Sequence, residues 1–161
     1  MKRIVIILAL LAVSVTALAQ SGRQLYTKYS DLPGMEAVYI SPAMFRIIGR
    51  LPDIDVQDGS VNLSAIIKSM TGFYILSTSN PEVGAKLHAD VSKYIDSGKY
   101  ELLMEAKEDG EVMRMYTVGD EKTVNSFVML SKDQEEVSYI CFDGKMDRKQ
   151  LENILADAAE D

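Results

Sequence analysis

The sequence predicts an α+β domain, an antiparallel β-meander sheet with helices packed on it. Three observations carry that expectation. Between Tyr100 and Phe142 apolar residues recur with period two, broken at Asp109-Gly110, at Gly119-Asp120 and over 132–135. Ahead of this stretch, Leu87, Val91, Tyr94 and Ile95 recur three and four apart, the stripe of a helix with one buried face. Nothing after the first 19 residues is repeated, low in complexity or rich enough in Pro, Gly and Ser to serve as a linker, so 20–161 reads as a single α+β domain.

The elements follow in order. Residues 24–32 form a short helical lead-in with Leu25 and Tyr29 four apart, and 36–40 are β-prone through Val38, Tyr39 and Ile40. Ser41-Pro42 reads as an N-cap followed by proline at the first helical position. The helix it opens carries Met44, Phe45, Ile47, Ile48 and Leu51, and Leu51-Pro52 ends it. A polar loop at 53–60 precedes a short helix over 63–70 with Ile66, Ile67 and Met70, then a strand over 73–77. Asn80-Pro81 repeats the cap-plus-proline start, opening a long helix to about Ser97 with Gly98 as its stop. Strands over 100–106, 112–118, 124–130 and 137–142 make the meander. Asp147 then caps a closing helix bearing Leu151, Ile154, Leu155 and Ala158.

Residues 1–19 stand apart. Lys2 and Arg3 precede an apolar run over 4–15, and Ala17-Leu18-Ala19 places small residues where a signal peptidase reads. The tract is shorter than the roughly 20 residues of a membrane-spanning helix. It is expected to be a signal peptide cut after Ala19, which leaves Gln20 as the N-terminus of a periplasmic or secreted chain with no stable membrane insertion. Cleavage removes two basic residues and takes the formal charge from −7 to −9. So acidic a surface repels phosphate backbones and argues against nucleic acid as a partner.

A strand with one wet face alternates apolar and polar residues, but this meander is apolar at both parities. Val112, Tyr116, Val118, Val128, Leu130, Val137 and Tyr139 share one; Met113, Met115, Phe127, Met129, Ile140 and Phe142 share the other. Two readings stand. Helices cover both faces, or the methionine-bearing face is a partly open docking surface, for which the adaptable thioether is suited.

Catalytic chemistry is thin. His88 is the sole histidine, one residue off the apolar stripe of its helix, and no nucleophile turn accompanies it. Cys141 is the sole cysteine, so no intrachain disulfide exists. It alternates with Val137 and Tyr139 as an inert core residue would. The acids at 53, 55 and 58 resemble a calcium loop, yet Asp58 and Ser64 occupy the places an EF-hand gives to glycine and glutamate. Glu101 and Glu105 point the same way along one strand, with Glu108 near the hairpin tip, as a carboxylate pair for hydrolysis would require, but no tryptophan or evident cleft accompanies them. No catalytic, cofactor-binding or metal residues are assigned, and no cofactor is expected.

Several short motifs match a known pattern: Tyr29-Ser30 before Gly34, then Val38-Tyr39-Ile40-Ser41 and Met44. Farther on come Tyr100-Glu101-Leu102-Leu103-Met104, Lys107-Glu108-Asp109-Gly110 and Gly144. Over about residues 25–146 the chain resembles the exported Bacteroidetes family called domain of unknown function 4252. That resemblance implies a Gram-negative envelope setting and supplies no catalytic residues. Many similar proteins carry a lipid-bearing cysteine directly after the signal; here Ala19-Gln20 stands at the junction, so no lipid anchor is expected. The function expected is a non-enzymatic binding or interaction module of the envelope, engaging an envelope protein or a second copy of itself. A carboxylate-based hydrolase and a calcium-stabilised structural domain are the alternatives.

Overall fold

The computed structural model describes residues 21–48 and 67–157. Helix α1 (Gly22–Tyr29) opens with a capping box. The Gln24 N–H donates to the Ser21 hydroxyl at 3.3 Å, and the Ser21 N–H donates to the Gln24 side chain at 3.2 Å. Leu25 and Tyr29, the pair expected to anchor this segment, are both buried. Strand β1 (Glu36–Ile40) leads into α2 (Pro42–Ile48), where the Met44 N–H donates to the Ser41 hydroxyl. The residue pattern offers α2 a broad apolar face, but Phe45 is buried while Met44 and Ile47 are exposed. Two turns of helix leaning on β2 bring one side chain fully under cover.

The signal peptide expected over 1–19, the end of α2 at Leu51-Pro52, the acidic loop at 53–59 and most of the helix expected over 63–70 lie outside the described residues. Residues 67–69 are helical, and strand β2 (Met70–Thr78) starts at Met70, earlier than its alternation suggests. Helix α3 (Pro81–Ser97) has the expected cap: Asn80 Oδ1 accepts from Glu82 and Val83 N–H at 3.0 and 3.1 Å. Its exit differs in one detail. Gly98 keeps a negative φ and the left-handed conformation falls on Lys99, at φ 57°.

The meander is β3 (Glu101–Glu108), β4 (Glu111–Gly119), β5 (Thr123–Lys132) and β6 (Val137–Asp147). Asp109 and Gly110 take φ 43° and 93°, the pair of positive values that a two-residue hairpin turn needs. Helix α4 (Arg148–Asp157) closes the described chain, and Asp147 Oδ1 accepts from the Gln150 N–H at 3.1 Å. All neighbouring strands are antiparallel, in the order β1-β2-β6-β5-β4-β3. The chain leaves β2 through α3, enters the opposite margin as β3, and the meander returns to lay β6 beside β2.

One face of the sheet carries α1 and α3. Leu25 and Tyr29 of α1 and Leu87, Val91, Tyr94 and Ile95 of α3 pack on Tyr74, Leu76, Val128, Leu130, Val137, Tyr139 and Cys141. Cys141 is fully buried, as its alternation implied. The first turn of α1 comes so close that a Cβ on Gly22 would lie 2.6 Å from Cys141 Sγ and 3.2 Å from the Tyr139 hydroxyl. Gly22→Ala is therefore expected to lift α1 off the sheet or shift its neighbours, at about 1–3 kcal/mol. A thermal melt showing no loss would contradict this packing.

Candidate interaction face

Side chains at registered positions share a face of the sheet, so the ladders settle what sequence parity left open. Met104 pairs with Met115, Met115 with Met129, Met129 with Ile140, Ile140 with Ile75 and Ile75 with Val38. One apolar row thus crosses all six strands. Ile40, Phe73, Phe142 and Phe127 form the row beside it, the Phe142 ring lying 4.4 Å from Phe73 and 6.0 Å from Phe127. On the other flank Met113 stands in line with Ser131, Ser138 and Ser77. The Ser77 and Ser138 hydroxyls both donate to the Glu136 carboxylate. The face therefore has an apolar centre with a hydrogen-bonded polar margin along one flank.

The register brings together on this face all six residues marked in the sequence: Met113, Met115, Phe127, Met129, Ile140 and Phe142. Phe127 is buried; the other five are half-buried. Cover comes at one corner from α4, whose Leu151 packs with Val124, Phe127 and Met146. Arg148 fixes that corner: its Nε donates to the Asp120 carbonyl at 2.9 Å, and its guanidinium stands 3.6 Å from the Glu101 carboxylate. Val38, Phe73, Ile75 and Met104 complete the face and are not evident as members of it from sequence. Their apolar character is plain, but only the pairing of β2 with β6 and of β3 with β4 decides which side they occupy.

The opposite face holds a half-buried acid. Asp143 is registered with Ser126, and its carboxylate accepts from the Cys141 thiol at 3.5 Å beneath the first turn of α1. The Tyr139 hydroxyl is buried beside that thiol without a well-aligned hydrogen-bond partner among the described residues. The Tyr94 and Tyr100 hydroxyls bond to each other nearby. Burial, reinforced by the neighbouring Asp143 charge, pushes the Cys141 thiol up to about 12, so it holds its proton at neutral pH and is a poor nucleophile. Burial also raises Asp143 above the ordinary carboxylate range, against hydrogen bonds from Ser126 and Cys141 that lower it. No pattern in the residue order announces this cluster.

The other residues weighed from sequence separate. Glu101 and Glu105 do not point the same way. A β-bulge between Leu102 and Met104 inserts a residue, so Glu101 pairs with Thr117 and Glu105 with Arg114, on opposite faces. Each carboxylate has a cation instead of an acid as its neighbour: Arg148 for Glu101, and Arg114 and Lys107 for Glu105. Burial and the charges of Lys132 and Arg114 lower the His88 pKa, so the ring is neutral near pH 7. Among the described residues no three His, Cys, Asp or Glu side chains stand together as a metal site. None of the described helices is long and apolar enough to cross a membrane.

The geometry defines an open-sheet α+β domain with α1 and α3 packed on one face and, on the other, a half-buried apolar surface that α4 covers at one corner. The chain belongs to the family described as a domain of unknown function (DUF4252), whose sequence model matches residues 29–154. No curated protein and no solved structure matches it.

Asp143 gives the helix-covered side of the sheet a pH signature. Because its pKa is raised on folding, its contribution to stability is full below the ordinary carboxylate value and is lost as pH rises through the folded one. Asp143→Asn should remove that loss. The variant is expected to melt higher than the parent near pH 7, by roughly 2–4 °C for each 1 kcal/mol recovered in a domain of this size. The two melts should converge as the pH falls toward about 3.5, and a variant less stable at every pH, including where the carboxyl is protonated, would show that the hydrogen bonds of the carboxyl group outweigh the cost of its charge.

Proposed function

We propose that this domain is an exported, non-enzymatic interaction module of the cell envelope. The observation that carries the reading is the apolar row through Val38, Ile75, Ile140, Met129, Met115 and Met104. It crosses the whole sheet on the face away from α1 and α3, half-buried along its centre and exposed at its two ends, Val38 and Met104. A contiguous apolar patch beyond a few hundred Å² is uncommon on a monomer without a binding role. Methionine at three of the six positions lends the surface a capacity to repack against a partner protein. That Glu101 and Glu105 face opposite sides of the strand, each beside a cation, supports this reading over a carboxylate-based hydrolase.

Export is part of the same proposal. The charged start, apolar run and Ala17-Leu18-Ala19 support cleavage after Ala19 and a soluble periplasmic or secreted product. Intact-mass measurement of the envelope form should give an N-terminus at Gln20. A chain retaining Met1, or carrying acyl groups, would refute it.

Changing Met113 and Met115 together to serine tests the face. Half-buried side chains at a docking surface contribute modestly to the fold, so stability should fall by no more than about 1 kcal/mol per site while binding or self-association is lost. If the pair belongs to a covered core, the same change costs about 2–5 kcal/mol at each site and unfolds the domain. A thermal melt beside a sizing column separates the two.

A further inference from the structure

We propose that a second copy of this chain pairs antiparallel with the free edge of β3, placing Glu105 of each copy opposite Lys107 of the other. Among the described residues β3 is the outermost strand at its margin, and every residue in it is exposed. Leu102, Leu103 and Met104 are 51%, 38% and 41% exposed. A long outer strand with apolar side chains and open backbone groups is a template for another strand.

The hairpin fixes which backbone groups are free. A two-residue turn at Asp109-Gly110 makes its flanking residues, Glu108 and Glu111, a hydrogen-bonded pair, and such pairs alternate along an antiparallel ladder. Glu108, Ala106 and Met104 therefore turn their backbone groups toward β4. Lys107 and Glu105 turn theirs toward the open edge.

Charge then selects the register. With Ala106 opposite the Ala106 of the second copy, each hydrogen-bonded position brings a glutamate against a lysine. A shift by two residues either way sets Glu105 against Glu105 or Lys107 against Lys107, which is destabilising for directly opposed like charges. The arrangement is isologous and closes at two copies. Both side chains lie on one face, since Glu105 pairs with Arg114 and Lys107 with Val112. Within a single copy they already meet at 2.7 Å, so exchanging the cation for that of the second copy keeps the ion pairs and adds backbone hydrogen bonds. The bulge between Leu102 and Met104 confines the pairing to residues 104–108. The opposite margin, β1, offers five residues with one glutamate and no base to complement it.

Sedimentation velocity on the mature chain across a concentration series tests this. The parent should show a concentration-dependent dimer. Lys107→Glu and Glu105→Lys should each weaken it at least about tenfold. Mixing the two variants should restore it, because an edge carrying two glutamates then meets an edge carrying two lysines; the restoration also shows that both variants fold. Ala106→Cys should cross-link across the two-fold axis on mild oxidation, Cys141 being buried. A parent that stays monomeric overturns the proposal, as do single variants that dimerise like the parent or a mixture that fails to recover. Association abolished by the Met113/Met115 change but indifferent to both charge variants also overturns it, and leaves the reading of the methionine face standing.

Discussion

The fold depends on β6 lying between β2 and β5. Its pairing with β5 is local, closed by the turn at 133–136, where Asp133 accepts from the Glu135 and Glu136 N–H groups. Its pairing with β2 joins residues far apart in the chain, Ile75 with Ile140 and Leu76 with Tyr139. Closing a loop of that length costs chain entropy, though the cost grows only slowly with length. The burial of Val137, Tyr139 and Cys141 under α1 and α3 offsets it. Without this ladder, β1 and β2 would be a two-stranded ribbon, marginal by itself.

Placing β6 centrally also explains the uneven treatment of the two faces. The chain uses its long helix, α3, as the crossover from β2 to β3, and that helix lies with α1 on a single face. Tyr139 and Cys141 are consequently sealed on one side of β6, while Ile140 and Phe142 on the other are half-buried. The polar group that suffers from the tight side is Asp143, on the same strand face as Cys141 and pressed beneath α1. The close approach allowed by Gly22 and the raised pKa of Asp143 are two results of one packing arrangement.

Much of this could be read from residue order. Asn80-Pro81, Ser41-Pro42 and Asp147 cap helices where their chemistry says they should, and Asp109-Gly110 turns the hairpin. These are local rules, satisfied by side chains within three or four residues of the backbone groups they bond. What escaped depends on partners distant in sequence. The bulge that separates Glu101 from Glu105 exists only against β4, and Met70 becomes a strand residue through its pairing with Gly144. Val38 and Ile75 join the methionine face because of the order of strands, which no periodicity encodes. The meeting of Ser126, Cys141 and Asp143 likewise needed the β5–β6 register.

Charge completes the argument at the margins of the sheet. An acidic chain repels its own copies, and acids at a strand edge normally keep that edge solvated. β3 carries Glu101, Glu105 and Glu108 against one base, Lys107, a composition that by itself reads as protection. Position alters that reading. The bulge sets Glu101 apart from the regular segment, and the turn directs the backbone of Glu108 inward. The regular part of the open edge is left to one glutamate and one lysine two residues apart. Such a pair is self-complementary under a two-fold axis and repulsive in the neighbouring registers, so the same charges that deter indiscriminate pairing admit one arrangement.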